Sequence, residues 1–166
     1  MLDGVSDAVR VIGFAQKLRN TRVYRAIRDR KPKKGQSCVA VAVVSKGKEV
    51  LMVKRRSMSE KLSWGFPSGQ IKASEPAGNV AQREVLQETN INCYVDREIG
   101  KRHHPDTNVF VYYFKCTYKN GEIKNLDTDE NSEVKWVKAT EAKLLLTTNL
   151  DTRVEEFLDE ISRTKN

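Results

Sequence analysis

The chain reads as an α/β (α+β) protein with a mixed sheet between helices, and three observations predict it. Runs rich in β-branched and aromatic residues recur, as in Cys38-Val-Ala-Val-Ala-Val-Val44 and across 109–118; such residues pack well on a pleated surface. Apolar residues fall at helical spacing across 77–88 and 151–161. Both kinds of element interleave in one chain of 166 residues, which points to a single layered domain with a short extension.

The elements follow in order. Ser6 can cap a helix whose apolar residues are Ala8, Val9, Ile12, Ala15 and Leu18. Thr21 can start a second segment with Val23, Tyr24 and Ile27, which Pro32 ends. Lys33-Lys34-Gly35 then links to the body, so residues 1–34 form a basic helical extension and 35–166 the main domain. Residues 38–44 and 49–54 are strands joined through Ser45-Lys46-Gly47-Lys48, a hairpin. Pro76 suits a first helical turn, where its missing N–H costs nothing, and starts the helix 77–88. Strands follow at 93–99, 109–118 and 133–137, with Asn120-Gly121 as a turn. Residues 141–146 and 151–161 are helical, the last with an apolar face of Val154, Phe157, Leu158 and Ile161.

Composition removes several classes. At 39% hydrophobic and 31% charged residues the chain is globular rather than disordered. No window approaches the ~18 apolar residues that a membrane helix needs, so no membrane partner is expected. Asp3, Asp7 and Arg10 interrupt the first apolar residues, unlike a secretory signal. Cys38, Cys93 and Cys116 show no metal-ligand spacing and read as reduced thiols of a cytoplasmic protein.

Charge is uneven. Residues 1–34 hold ten basic and three acidic side chains; the rest hold 20 and 19. A basic head attracts phosphates, so RNA held through residues 17–34 is one expected partner. With only Tyr24 interleaved, a base-stacking platform is unsupported. The apolar stripe of the head also needs a partner surface, on the body or on a second copy in a homodimer, because a lone helix of this length is marginal.

The chemistry lies in Gly69–Ile91, GQIKASEPAGNVAQREVLQETNI. On a helix, Glu84 and Glu88 project from one face, with Gln87 beside them. Their mutual repulsion is relieved by a hard divalent cation, Mg²⁺ or Mn²⁺, bound by carboxylates and substrate phosphates.

This segment resembles the signature of the Nudix hydrolases, MutT-like nucleoside diphosphate-X pyrophosphohydrolases: G-x5-E-x7-R-E-U-x-E-E-x-G-U, with U a bulky aliphatic. Gly69, Glu75, Arg83, Glu84, Val85, Glu88 and Ile91 match in register, while Gln87 replaces a glutamate and Asn90 the late glycine. Trp64-Gly-Phe-Pro-Ser-Gly69 is similar to the family's W-x-x-P-G-G, with Ser68 for a glycine. The strand end Lys54-Arg55-Arg56 and Glu133-Val-Lys-Trp136 fall where the family has similar segments, so the resemblance spans 38–160 and leaves the head outside. Asn90 is benign, because asparagine tolerates the left-handed conformation after a helix. Gln87 brings a carbonyl but no charge, and weaker metal binding is expected.

The resemblance implies a Nudix-type α/β/α sandwich and a reaction in which water attacks phosphorus of a nucleotide or nucleoside diphosphate derivative. Glu84, Gln87 and Glu88 would hold the metal. Glu84 or a later acid would be the base, with Glu133 the first choice and Asp129 and Glu130 its rivals. Arg83 would neutralise the acids and orient the helix, Glu75 would brace the loop, and Gly69 would permit the backbone turn toward the metal. Lys54, Arg55 and Arg56 are placed to pair with substrate phosphates, and Lys54, Arg56, Arg102 and His104 are the expected substrate-binding residues; Arg102-His103-His104-Pro105-Asp106-Thr107 is expected to be a loop between two strands. Two alternatives remain: an enzyme directed at RNA 5′ ends or caps, using the basic head, and a nucleotide-binding module weakened by Gln87.

Overall fold

The β-branched run that opens the main domain becomes the centre of a mixed sheet. A computed structural model describes residues 31–56, 64–104, 107–146 and 150–164. Its elements are β1 (Ser37–Lys46), β2 (Glu49–Arg55), β3 (Trp64–Gly65), β4 (Ser68–Gln70), α1 (Ala77–Thr89), β5 (Asn92–His103), β6 (Val109–Asn120), β7 (Asn131–Lys138), α2 (Ala139–Leu145) and α3 (Thr152–Arg163). The expected helices of the head, and most of its proposed RNA-binding stretch, lie outside the described residues.

The sheet runs β3-β2-β1-β6-β5, with β4 on β1 and β7 on β2. β1 pairs parallel with β6 from Ser37↔Val109 to Ser45↔Thr117, and β6 pairs antiparallel with β5. The hairpin expected over 38–54 is real only at its base. β1 and β2 pair at Ser45↔Val50 and Lys46↔Glu49, around a turn in which Gly47 has φ +59°. Beyond that the strands part. β4 takes the edge of β1 at Val39↔Gln70, Ala40↔Gly69 and Val41↔Ser68, while β7 takes β2 from Glu49↔Lys138 to Arg55↔Asn131.

Strand alternation sorts the core into two layers. Ala40, Ala42, Val44 and Leu51 pack with Val80, Ala81 and Val85 of α1 and with Phe114. Val43, Val50 and Met52 pack on the other face with Ala142 of α2 and Val154, Phe157, Leu158 and Ile161 of α3. The result is the expected sandwich of a mixed sheet between helices.

Local signals set the helix ends. Pro76, with φ −63° and ψ 126°, is the N-cap of α1 rather than part of its first turn. Asn90 ends the helix in the left-handed region, φ 62°, and donates its backbone N–H to the Leu86 carbonyl. Its side chain also donates to the Glu122 carbonyl at 2.9 Å, which ties the chain after β6 to the helix end. Asp151 caps α3 by accepting from the Arg153 N–H at 3.0 Å. Cys38, Cys93 and Cys116 are free thiols. Among the described residues no helix is long and apolar enough to cross a membrane.

Candidate active site

The parting of β1 and β2 leaves a cleft of about 580 Å³, whose lining includes Arg55, Gly69, Glu84, Gln87, Asp127 and Glu130. α1 supplies Glu84 and Gln87, and the chain before β7 supplies Asp127 and Glu130. That chain is held to the end of α1: the Lys124 and Leu126 N–H groups donate to the carbonyls of Thr89 and Glu88, each at 3.0 Å. The Asp127 side chain then accepts the Glu130 N–H at 3.2 Å, and its carbonyl accepts the Asn131 N–H at 2.9 Å. These bonds fold 127–131 into a turn that presents its acids to α1.

Glu84 and Glu88 share one helix face, as expected, but sit at different depths. Glu84 lines the cleft and accepts from Arg83 Nη2 at 2.9 Å, while Arg83 Nη1 bonds Glu75. Arg83 thus braces the two acids against each other, and its hydrogen bond to Glu84 holds its pKa above the ordinary value. Glu88 is 3% exposed and lies beneath the cleft. Its Oε1 accepts from the Ser68 N–H at 3.1 Å and faces Arg55 Nη2 at 3.5 Å. Its Oε2 accepts from Asn131 Nδ2 at 3.0 Å. Burial pushes the Glu88 pKa up; the Arg55 charge and the Ser68 and Asn131 hydrogen bonds oppose this.

Gly69 serves the site for a reason other than the expected one. Among the glycines with positive φ are Gly35, Gly47 and Gly121, whereas Gly69 is a β-strand residue opposite Ala40. Its lack of a side chain matters because a Cβ there would stand 2.2 Å from Glu84 Cδ. Gly69 is the space that Glu84 occupies.

Of the basic triplet at the strand end, the middle residue reaches the cleft. Arg55 Nη2 bonds Ser68 Oγ at 2.9 Å, and Nη1 bonds Glu130 Oε2 at 3.2 Å. Lys54 points to the opposite face, 5.7 Å from the Trp64 ring centroid. Arg56 instead fixes the acidic turn, donating Nε to the Thr128 carbonyl at 2.8 Å and its N–H to the Glu130 carbonyl at 2.7 Å. Glu133 is likewise outside the cleft. It pairs with Lys54 across β2 and β7 and lies 3.7 Å from Lys135, whose ammonium sits over Trp64. Parity explains this: Val134 and Trp136 turn toward the α1 layer, so Glu133 and Lys135 turn away.

Arg102 and His104 come together in a second cavity of about 280 Å³, beside the cleft, with Val41, Trp64 and Tyr113 in its lining. Arg102 and His103 belong to β5 rather than to the expected loop. Arg102 lies 5.8 Å from the Tyr113 ring centroid. Cleft and cavity share Val39, Arg55 and Ser68.

Sequence reasoning passed over Asp127 and Asn131, and it gave Arg55 no more weight than Lys54 and Arg56 beside it. Parity signals Arg55, since Leu51 packs in the α1 layer and residue 55 shares its side of β2. Asn131 has no such signal; it is a fully buried polar side chain, found only through its bond to Glu88.

Among the described residues no three His, Cys, Asp or Glu converge as a ready metal cage. The donors nevertheless fit a hard cation in kind: the cleft offers the carboxylates of Glu84, Asp127 and Glu130 and the Gln87 amide, all through oxygen. Such ions take few protein ligands and complete their shell from phosphate and water.

Comparison with known proteins gives the family and the fold. The NUDIX domain family profile matches residues 34–161. A Bacillus subtilis (strain 168) protein, provisionally named an 8-oxo-dGTP diphosphatase, is 26% identical over 117 residues, covering 70% of this chain and 76% of that one. The crystal structure of a NUDIX hydrolase from Nitrosomonas europaea superposes with a TM-score of 0.65 at 16% identity, over 75% of this chain and 71% of that one. The MutT protein of Methanosarcina mazei Go1 gives a TM-score of 0.61 at 21% identity, over 77% of this chain and 96% of that one. The chain belongs to the NUDIX domain family and is a MutT-like Nudix hydrolase.

Proposed function

We propose that this hydrolase is a divalent-metal-dependent pyrophosphohydrolase that cleaves nucleoside di- or triphosphates or nucleoside diphosphate-X compounds by water attack on phosphorus. The observation that supports it best is the joining of two unlike spaces through Arg55. The cleft is polar and rich in carboxylates; the cavity beside it has an apolar wall of valines with Trp64 and Tyr113. A nucleotide has the same two-part chemistry, a flat heterocycle and a chain of phosphates. Arg55 at the junction suits the phosphate nearest the nucleoside. Arg102 and His104 would bind the nucleoside end.

Glu84, Gln87, Glu88 and the turn acids would hold Mg²⁺ or Mn²⁺, which supplies Lewis acidity toward phosphate oxygens and lowers the pKa of water. Glu84 and Glu130 are the candidate bases, each a carboxylate open to the cleft. Glu130 lines the cleft, whereas Glu133 does not. Arg83 is a positioning residue: it fixes the Glu84 rotamer through the Glu75 contact.

A substrate panel tests the reading. It contains 8-oxo-dGTP, prompted by the Bacillus subtilis relative, the ordinary nucleoside di- and triphosphates, dinucleotides, nucleotide sugars and capped RNA, each with Mg²⁺ and with Mn²⁺. Metal-dependent release of a nucleoside monophosphate from at least one is expected. No turnover of any member with either metal overturns the proposal.

A further inference from the structure

We propose that Arg55 is a resident cation of the cleft, seated on carboxylates that the divalent ion needs, and that substrate phosphate draws it away. This rests on the metal-dependent reading above. The geometry is a three-way clamp. Arg55 Nη2 lies 2.9 Å from Ser68 Oγ, 3.4 Å from the Ser68 carbonyl and 3.5 Å from Glu88 Oε1. Nη1 lies 3.2 Å from Glu130 Oε2. One guanidinium therefore spans the buried acid of α1 and the exposed acid of the turn before β7.

Lone-pair counting shows what this does. A carboxylate oxygen offers two acceptor sites. On Glu88 Oε1 the Ser68 N–H uses one, at 3.1 Å, and Arg55 uses the other. Asn131 uses one on Oε2. While Arg55 is seated, Glu88 has a single acceptor site left for a metal, and Glu130 is partly neutralised. Gln87 sharpens the effect: with an uncharged amide at that position, one arginine cancels a larger share of the negative charge in the cleft.

The clamp is also built to open. Arg55 is 29% exposed and lines both the cleft and the neighbouring cavity. A phosphate across that junction offers a guanidinium two parallel charge-assisted hydrogen bonds. Moving Arg55 onto it would release Glu88 Oε1 and Glu130 together. Metal and substrate then assist each other, and linkage makes that assistance reciprocal. The free protein would hold the divalent ion weakly and the substrate-bound protein strongly.

Mn²⁺ binding to the full chain, followed by calorimetry and by the Mn²⁺ electron paramagnetic resonance signal without nucleotide, tests this directly. Arg55→Met should bind Mn²⁺ more tightly than the parent, by about fivefold or more. Its KM for any nucleotide the parent turns over should rise. Opposite signs on metal and nucleotide are the mark of a resident cation. Ser68→Ala removes only the hydroxyl that seats Arg55, and keeps the proposal testable should Arg55→Met fold poorly. It should tighten Mn²⁺ in the parent background and change nothing beside Arg55→Met. Unchanged or weaker Mn²⁺ binding in both single variants, with the parent still hydrolysing nucleotides, overturns the proposal and leaves the metal-dependent reading intact. A parent that neither binds Mn²⁺ nor turns over any nucleotide overturns both.

Discussion

Gly69 and Glu84 occupy one another's space: the backbone of β4 passes so close to α1 that a Cβ at 69 would overlap the Glu84 carboxylate, 2.3 Å from Oε1. Gly69→Ala should therefore displace Glu84 and break its contact with Arg83. Because the atoms the new Cβ meets are the outer end of a side chain that lines an open cleft, the cost should stay at or below the lower end of core overpacking, about 1 kcal/mol. Urea unfolding should show that loss, and kcat should fall with it. Pairing it with Glu84→Ala, which vacates the space, should restore the stability but not the rate.

Glu88 is a buried acid whose folded-state pKa is raised by desolvation. The folded protein thus binds this proton more readily than the unfolded chain does. The associated stability is present below the unfolded value of 4.5 and is lost as pH rises through the folded pKa. Glu88→Gln removes that dependence. Asn131 can turn its amide so that Oδ1, buried and without a partner, accepts from the new Gln side chain. At neutral pH the variant should melt no lower than the parent while losing most of its turnover, through loss of a charged metal ligand. Melting temperature against pH for both proteins checks this; the curves should converge in acid.

Some of this was legible from short-range patterns alone. The helix at 77–88 and its ending at Asn90 follow from spacing and one left-handed residue, both local properties. β3 and β4 were not legible, because two and three residues carry no periodicity and become strands only by pairing with β2 and β1. The hairpin expected over 38–54 extends too far for a related reason: its turn is local, but which strand takes each edge beyond it depends on segments some 30 and 80 residues downstream. At the site, Glu84, Glu88 and Arg83 were found through one helix. The acids that line the cleft beyond that helix, Asp127 and Glu130, lie in the turn before β7, whose place is set by long-range bonds to the end of α1, while Glu133 falls on the face of β7 turned away from α1.

Gln87 lies exposed in the cleft beside Glu84. Gln87→Glu adds a charge where a metal would lie and also a like-charged neighbour at i+3. The metal-free protein should lose about 0.2–0.5 kcal/mol. Metal affinity should rise about tenfold, worth about 1.4 kcal/mol. Thermal melts with and without Mg²⁺ should show the two effects with opposite sign. An equal affinity in both proteins would mean that position 87 does not reach the ion.

Glu130 and Glu133 are three residues apart and should behave as different kinds of residue. Glu130 is 68% exposed, and its ion pair with Arg55 is of the surface type, worth about 0–1 kcal/mol. Glu130→Gln should accordingly leave the melting temperature nearly unchanged. If Glu130 takes the proton from water, its loss should lower kcat by about 10²-fold or more and remove the acidic limb of the pH–rate profile. Glu133→Gln should alter neither rate nor profile, because it stands with Lys135 and Trp64 on the far face of the sheet. Should Glu130→Gln keep its acidic limb, the base is Glu84, the other carboxylate held open to the cleft. Glu84→Gln must then flatten that limb. A large loss in Glu133→Gln alone would require β7 to turn over in the active state, and its pairing with β2 from Glu49↔Lys138 to Lys54↔Glu133 opposes that.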